Sequence, residues 1–459
     1  VSVPPLLSDL AQAGDVVTDA DVLEGYRRDQ AAPGLVPAGM PAAVVRPRTT
    51  AQVAAALRAA DRHGVPVVPR GAGSGLSGGA NAIDGCLVVC LERMTDVLEV
   101  DGDSLVARVQ AGVMNRSLAD AVRAEGLWYP PDPASWEFST IGGNVATNAG
   151  GLCCVKYGVT RDALLGAEVI LADGRTLALG RRTRKGVAGY DLTALLCGSE
   201  GTLGVITEVT VRLQPLPGRA STLVASFARL ADAGDAIARM ARHARPSLLE
   251  LMDATTIAAV EAFQPMDLDP DAAALVFARS DEVGGVEAVA WMERVCEEAG
   301  ATLVVTSDEE AEGRMLLAAR RLAYPALERR GATLLDDVAV PIAAIPALVR
   351  GVEEIAQRHD VLIATFGHAG DGNMHPTIVY DHHDAGAVGR ARHAFAAIVE
   401  LALALGGTIT GEHGVGLLKR DFVLAETGDD VVQLSHAVKR AWDRHGRMNP
   451  GKKLPDLPV

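Results

Sequence analysis

The chain lacks a positive charge balance. Its 459 residues carry 43 lysines and arginines against 58 aspartates and glutamates, a net charge of −15. Binding to nucleic-acid phosphates needs a basic surface, so that class of partner is excluded. The same balance favours solubility, and any small anionic substrate then requires a locally positive pocket. Long apolar runs are also missing: none approaches the ~20 residues of a membrane-spanning helix. Residues 1–16 hold little positive charge and no signal-peptide core. Cytoplasm is the expected location, with room for a peripheral membrane contact. The six cysteines, Cys86, Cys90, Cys153, Cys154, Cys197 and Cys296, form no C-x-x-C pair and no zinc-finger spacing. Buried free thiols are expected. There is no short-period repeat and no low-complexity tract beyond alanine-rich helices.

What is present is an ordinary globular composition, 49% hydrophobic and 22% charged, in a chain long enough for two domains. Thr49 and Gln52 read as a capping box opening a helix that Gly64 closes after His63. Strands are expected at Val65–Pro69, Cys86–Leu91 and Leu105–Gln110, then a helix from Arg116 to Glu125. Asp173-Gly174 turns a hairpin over Glu168–Leu179, and Thr202–Leu213 is a further strand. Gln214–Gly218 breaks the pattern and marks a domain boundary. Beyond it the spacing predicts strands at Ser221–Phe227, Ala272–Ala278, Thr302–Thr306, Thr333–Val340 and Val361–Phe366. Helices are predicted at Leu230–Arg242, Gly285–Glu298, Ser307–Arg330 and Val431–Arg444, with one more between the last two strands. This pattern predicts α+β architecture with mixed sheets.

Three glycine-dense segments follow strands or turns. The first is Pro69, Arg70, Gly71, Ala72, Gly73, Ser74, Gly75, Leu76, Ser77, Gly78, Gly79. Without side chains in the way, its backbone N–H groups can approach a pyrophosphate. Gly73, Gly75 and Gly78 also fit G-x-G-x-x-G, but a nicotinamide site needs a helix directly afterwards. Ala80–Gly85 leads into a strand, so nicotinamide binding by this loop is rejected. The second segment runs Pro130, Pro131, Asp132, Pro133 and then Thr140, Ile141, Gly142, Gly143, Asn144, Val145, Ala146, Thr147, Asn148, Ala149, Gly150, Gly151. It is read as a loop of small hydrogen-bonding residues suited to a planar polar heterocycle. The third is Gly198, Ser199, Glu200, Gly201, Thr202, Leu203, Gly204, Val205, Ile206.

The second half of the chain carries Gly367-His368-Ala369-Gly370-Asp371-Gly372-Asn373-Met374-His375-Pro376 and Gly411-Glu412-His413-Gly414. A histidine taken singly reads as a hydrogen-bonded loop residue. Three of them with a glutamate, in two glycine-dense loops, have the composition of a catalytic divalent-metal site with open positions. His382, His383, His436 and His445 lack such a setting and are expected to be structural or exposed.

The three glycine segments together resemble the FAD domain of the vanillyl-alcohol oxidase/para-cresol methylhydroxylase (PCMH) flavoproteins. The histidine motifs resemble that family's D-2-hydroxyacid dehydrogenase branch, over nearly the whole chain. The resemblance implies a two-domain α+β fold: a PCMH-type FAD-binding domain over residues 1–215, a mixed α/β substrate (cap) domain over 216–425, and a segment 426–459 returning to the first. It implies FAD held by the first loop through Ser77, and by Pro131, Asp132, Pro133, Thr140, Gly142, Gly143, Asn144, Thr147, Asn148, Gly150 and Gly151. Tyr157, Gly201, Gly204, Val205, Ile206 and Asn449 are assigned to the cofactor on the same ground. FAD is expected to be noncovalent, because Ser74 stands near the position where some members carry a tethering histidine.

Carried over, His368, His375 and Glu412 are the metal ligands and His413 the catalytic base. Zinc is the expected metal, manganese the next. The chemistry is coherent: a metal lowers the pKa of the substrate hydroxyl, an imidazole accepts its proton, and flavin N5 accepts the hydride. Arg320 resembles the family's substrate arginine and suits a carboxylate, with Arg314 and Arg321 as alternatives. Tyr324, one turn on, can face the same pocket.

Two positions depart from the hydroxyglutarate-specific members. Leu335 stands where they carry lysine, and Thr377 where they carry asparagine. Both changes remove contacts to a second carboxylate and favour a monocarboxylate such as D-lactate, glycolate or a longer aliphatic analogue over D-2-hydroxyglutarate. Two readings of other classes remain. A His/Glu metallohydrolase would be colourless, and a flavin electron-transfer module would be yellow and unbleached by any hydroxy acid. An alcohol oxidase or a non-redox FAD synthase is the alternative within the superfamily. The electron acceptor implied is a quinone, an electron-transfer flavoprotein or a cytochrome, and a homodimer is compatible with the sequence.

Overall fold

The computed structural model describes residues 3–457. Thr49 accepts the N–H of Gln52 and opens the helix Thr50–His63, which ends at Gly64 with φ +66°. The expected capping box is half formed. Gln52 Oε1 reaches past Thr49 and accepts from the Arg48 N–H at 2.7 Å. The helix buries Val53, Ala56, Leu57 and Ala60.

Two sheets share the core beneath it. The first orders Asp15–Val17, Ala43–Arg46, Leu87–Cys90 and Val67–Arg70, and its last three strands are parallel. A parallel strand covered on both faces is apolar without alternation, which explains the fully buried Leu-Val-Val-Cys run. The second sheet is antiparallel, in the order Val97–Asp101, Val106–Gln110, Val205–Arg212, Leu164–Ile170 and Thr176–Gly180. Leu57, Val89, Val109, Ile141, Val169 and Val209 belong to one buried cluster between them. The C-terminal helix Asp429–Trp442 leads the chain back to this half, where Met448 bridges Val67 and the Asn449 N–H donates to the Val67 carbonyl.

A third, eight-stranded sheet follows the Gln214–Gly218 break. Its order is Ala301–Ser307, Ser221–Phe227, Ala274–Ser280, Leu248–Asp253, Leu362–His368, Asn373–Tyr380 and Ala332–Leu335, with Val338–Ala339 also paired to Asn373–Tyr380. Every neighbouring pair is antiparallel. One core cluster packs Leu223 and Leu251 with Ile237, Met292, Val349 and Ile398 from four helices. Another packs Leu275 and Phe277 with Ile257, Val260, Ala323 and Leu327 from two more. No described helix is long and apolar enough to cross a membrane.

Four expectations need correction. The stretch Ser307–Arg330 is two helices, Glu310–Leu316 and Ala318–Glu328, meeting at Leu317. Gly313 of the first lies against Thr222, where no side chain would fit, while the second fills a separate core, so one straight helix cannot serve both. The strand expected over Thr333–Val340 is interrupted at Asp336-Asp337, whose carboxylates are buried. The second glycine segment contains a helix, Ile141–Thr147, capped by Thr140. The strands Leu248–Asp253 and Asn373–Tyr380 and the helices Ala254–Phe263 and Ala385–Ala404 were not anticipated.

Asp253 joins two of these elements to the strand Leu362–His368. Its buried carboxylate accepts from Thr256 N–H at 2.7 Å, Thr256 Oγ1 at 2.6 Å and Thr365 N–H at 2.8 Å. Asp253→Ala should destabilise the protein by about 2–4 kcal/mol, since it strands buried donors and removes a helix cap. The check is the denaturant midpoint; an unchanged midpoint would remove Asp253 from this role.

Candidate active site

The cofactor cradle begins where the strand Val67–Arg70 ends. From Gly71 to Gly79, no backbone N–H donates to another protein group among the described residues. Gly73 has φ +74°, and a side chain there would collide with the Arg70 guanidinium lying across the loop. The second segment touches the first, because Gly71 abuts Thr140 and Gly143. The third touches the second: Gly198 N–H donates to Val145 O and Glu200 N–H to Ala146 O. Asn449 closes the ring, its Nδ2 donating to Gly79 O at 2.9 Å and Glu200 O at 2.7 Å. Buried Asn144 Nδ2, Ser139 Oγ, Ser199 Oγ and Asn449 Oδ1 have no protein partner. Open amides, a buried cation and unpartnered polar atoms fit a dinucleotide with a pyrophosphate and a polar ring.

Other assigned residues are placed differently. Val205 and Ile206 sit in the hydrophobic core, so only their backbone can face a ligand. Pro131 O accepts from Asn115 Nδ2, and Asp132 accepts from the Cys153 N–H, with burial pushing its pKa up to about 6. Asn148 adopts φ +58° and accepts from the Arg161 N–H. The Tyr157 hydroxyl donates to Asp281 Oδ2 at 2.8 Å, beside the Lys156–Asp281 ion pair.

The histidine motifs are brought together by one hairpin. Strands Leu362–His368 and Asn373–Tyr380 pair His368 with Asn373 and Phe366 with His375. The Gly411–Gly416 turn supplies Glu412 and His413. His368 Nε2 lies 3.2 Å from Glu412 Oε1, His375 Nε2 3.3 Å and His413 Nε2 3.7 Å. The His375 and His413 rings stack with centroids 5.0 Å apart. Gly150 approaches Glu412 so closely that a side chain there would collide with it. Three imidazole nitrogens converging on one carboxylate oxygen fit a divalent metal in donor type and number. Asp337, His375, Glu412 and His413 also place ligand atoms within 4.8 Å of one another. Asp337 is the weaker donor of these, because its carboxylate is already hydrogen-bonded. It accepts from Thr410 Oγ1 at 2.6 Å and from the N–H groups of Gly411, Glu412 and His413 at 2.9, 3.0 and 2.9 Å. His368 suits a ligand better, since its Nδ1 is fixed by a carboxylate and its Nε2 points at Glu412.

That carboxylate is Glu250, a residue the motif reading missed. It is fully buried, with Oε1 2.7 Å from His368 Nδ1 and Oε2 2.8 Å from both Nε and one Nη of Arg320. The signal was present in Leu248-Leu249-Glu250-Leu251-Met252, because a lone carboxylate in an apolar strand must have a partner. Arg320 is therefore not an open clamp: Glu250 holds two of its nitrogens, and its remaining Nη makes no hydrogen bond among the described residues. The guanidinium also lies over Phe366, 4.8 Å from the ring centroid. Tyr324 bonds Thr333 Oγ1 at 3.0 Å, not Arg320.

Burial shifts each charge, and neighbours decide the outcome. Burial pushes the Glu250 carboxyl up, but His368 and Arg320 outweigh it and hold it below the usual range. Burial disfavours the His368 cation, yet Glu250 and Glu412 raise it well above ordinary histidine. For His413 burial prevails over Asp337, so its pKa is lowered and the imidazole is neutral at neutral pH. A cavity of about 240 Å³ is lined by Asn148, Arg161, Leu195, Glu200 and Glu412, among other residues. The six cysteines are free, and His382, His383 and His445 are exposed.

An amide-lined dinucleotide cradle facing a buried histidine–carboxylate cluster defines a flavin-linked oxidoreductase. The chain belongs to the FAD-linked oxidases: residues 216–453 match the family's C-terminal domain and residues 41–180 its FAD-binding domain. It is 41% identical to glycolate oxidase subunit GlcD of Bacillus subtilis, over 97% of this chain and 93% of that one. It is 35% identical to a D-lactate dehydrogenase of Archaeoglobus fulgidus, over 98% and 99%. In fold it resembles p-cresol methylhydroxylase (TM-score 0.82, 18% identity, 99% of this chain and 96% of that one). It also resembles 4-ethylphenol oxidase from Gulosibacter chungangensis (TM-score 0.79, 19% identity, 98% and 97%). The two-domain, PCMH-type α+β fold and the FAD cofactor inferred from the glycine segments hold.

Glu250→Ala would leave the Arg320 cation buried without its partner and His368 Nδ1 without its acceptor, at a cost of about 3–5 kcal/mol. The denaturant midpoint should fall accordingly, and Glu250→Gln should fall less. A midpoint unchanged in Glu250→Ala would mean that the Glu250 pairs contribute nothing.

Proposed function

We propose that this chain oxidises a small 2-hydroxy monocarboxylate, with glycolate and D-lactate as the leading substrates, to the 2-oxo acid. The relatives' names support the reaction. The observation that carries the choice of a monocarboxylate is a pairing in the sheet: Leu335 and Thr377 are direct partners on adjacent antiparallel strands. Thr377 shares a strand face with His375, two residues away. Its hydroxyl donates to the His375 carbonyl, and Leu335 packs with apolar neighbours. The two departures thus fall side by side near the histidines, and neither offers a cation or a free donor to a second carboxylate.

The proposal gives each site residue a role. His413, neutral and with Nε2 turned towards the cluster, accepts the hydroxyl proton. The free Nη of Arg320 binds the substrate carboxylate. Glu250 is the positioning residue for both Arg320 and His368. His368, His375 and Glu412 would hold a divalent metal, zinc or manganese, which when bound makes the hydroxyl more acidic. FAD, when bound, supplies the two-electron sink that side chains lack.

Anaerobic titration of the flavin band separates the candidates. Bleaching by glycolate or D-lactate, and not by D-2-hydroxyglutarate, is expected. Bleaching by D-2-hydroxyglutarate first would overturn the monocarboxylate reading, and a flavin untouched by every hydroxy acid would move the function to electron transfer.

His413→Ala should retain the flavin band and lower flavin reduction roughly 10²–10⁴-fold. Undiminished reduction would exclude His413 as the base. Chelation, or His368→Ala, should lower metal content and turnover together while leaving flavin bound. Full metal content in His368→Ala would exclude that ligand.

A further inference from the structure

The molecule is acidic, with a net charge of −15, yet one loop is rich in cations. Every residue from Arg181 to Leu192 is exposed. Val187 is 97% exposed and Tyr190 95% exposed, so neither rests on the body of the protein. Leu192 and Leu195 follow, also exposed, at helical spacing on the short helix Leu192–Leu196. The apolar side chains are interleaved with cations. Arg181, Arg184 and Lys185 lie in the loop, and Arg161 lines the cavity that Leu195 also lines. None of these four has a carboxylate within 4.0 Å among the described residues.

The nearby acids make no ion-pair contact with these four cations. Arg182 takes Glu99 and Asp101. Asp191 caps the helix by accepting from the Ala194 N–H and the Thr193 hydroxyl. Asp162 accepts from the Val159 N–H. The tip therefore presents apolar side chains among cations that make no ion pair, with Asp191 close enough to feel Arg181 and Arg161, on a chain whose net charge is −15. That combination suits the boundary of an anionic bilayer, where side chains enter the headgroup region and cations meet lipid phosphates. A stable protein interface would take a shaped surface of ~800 Å² from each partner, whereas this is a projecting tip.

Position adds to chemistry. Arg161 and Leu195, both exposed, line the same cavity as the half-buried Glu412. We propose that residues 181–195, with Arg161, dock the protein on an anionic phospholipid surface, so that the cavity mouth faces the lipid. The negative remainder of the molecule is repelled by the same surface, which restricts contact to this face. The proposal does not depend on which hydroxy acid is oxidised.

Vesicle flotation of the full-length, FAD-loaded protein tests it, with phosphatidylcholine alone against phosphatidylcholine mixed with phosphatidylglycerol. The protein should float with the anionic vesicles, release as salt is raised, and ignore the neutral ones. Arg184→Glu with Lys185→Glu should weaken binding at least roughly 25-fold, at about fivefold per cation. Val187→Ser with Tyr190→Ser should weaken it as well, while both double variants keep the wild-type flavin content. Failure to float with anionic vesicles, equal flotation with both vesicle types, or wild-type binding by both double variants would each overturn the proposal.

Discussion

The site depends on one buried carboxylate. Asp337 gathers the hydroxyl of Thr410 and three consecutive backbone N–H groups, Gly411 to His413. A glycine-dense turn has many conformations, and losing them costs entropy. Four hydrogen bonds to one ionised, buried group select a single one. Burial would raise the Asp337 pKa, but His413, Lys419 and His375 hold it well below the usual carboxylate range, so it stays charged. Lys419 supports the arrangement from below: its buried ammonium pairs with Asp336 and donates to the carbonyls of Asp337 and Ile409. With the turn fixed, Glu412 and His413 reach the two histidines of the hairpin.

A second carboxylate ties that turn to the cofactor cradle. Glu200, at φ +53°, accepts the N–H groups of Val415 at 2.9 Å and Gly416 at 2.6 Å. A non-glycine residue in the left-handed region costs energy unless its surroundings hold it there. Ser77 of the first glycine loop adds to the seam. Its hydroxyl donates to His413 O, and its carbonyl accepts from Leu417 and Leu418. The residues expected to meet the pyrophosphate and the residues proposed to handle the proton therefore share hydrogen bonds. Displacing the glycine loop displaces the turn that carries His413.

Much of this was legible in the sequence for a local reason. The strand Ser221–Phe227 and the helix Gly285–Glu298 were read with their observed limits, because apolar spacing and neighbouring turn residues define them within a few positions. The histidine motifs stood out because glycines bracket them. What was missed is non-local or masked. Glu250 hides in a buried strand that reads as core, and Asp336-Asp337 interrupts what alternation alone takes for one strand. The helix Ile141–Thr147 was hidden by its glycines, which disfavour helix in isolation and are accepted here because Gly142 packs against Ala111 with no room for a side chain.

By itself, the sequence determined many of the helices and strands, where the chain turns without side chains, and which donor types are available. Such properties are set by residues within about one turn of each other. Only the tertiary structure decided how the charges pair. Glu250 meets His368 across 118 positions, and Glu200 meets Val415 across 215. A carboxylate's strength and role depend on which cation or N–H stands within hydrogen-bond distance after burial. That distance is set by the packing of sheets and loops far apart in the chain, which is why Arg320 reads as an open clamp in one dimension and is half held by Glu250 in three.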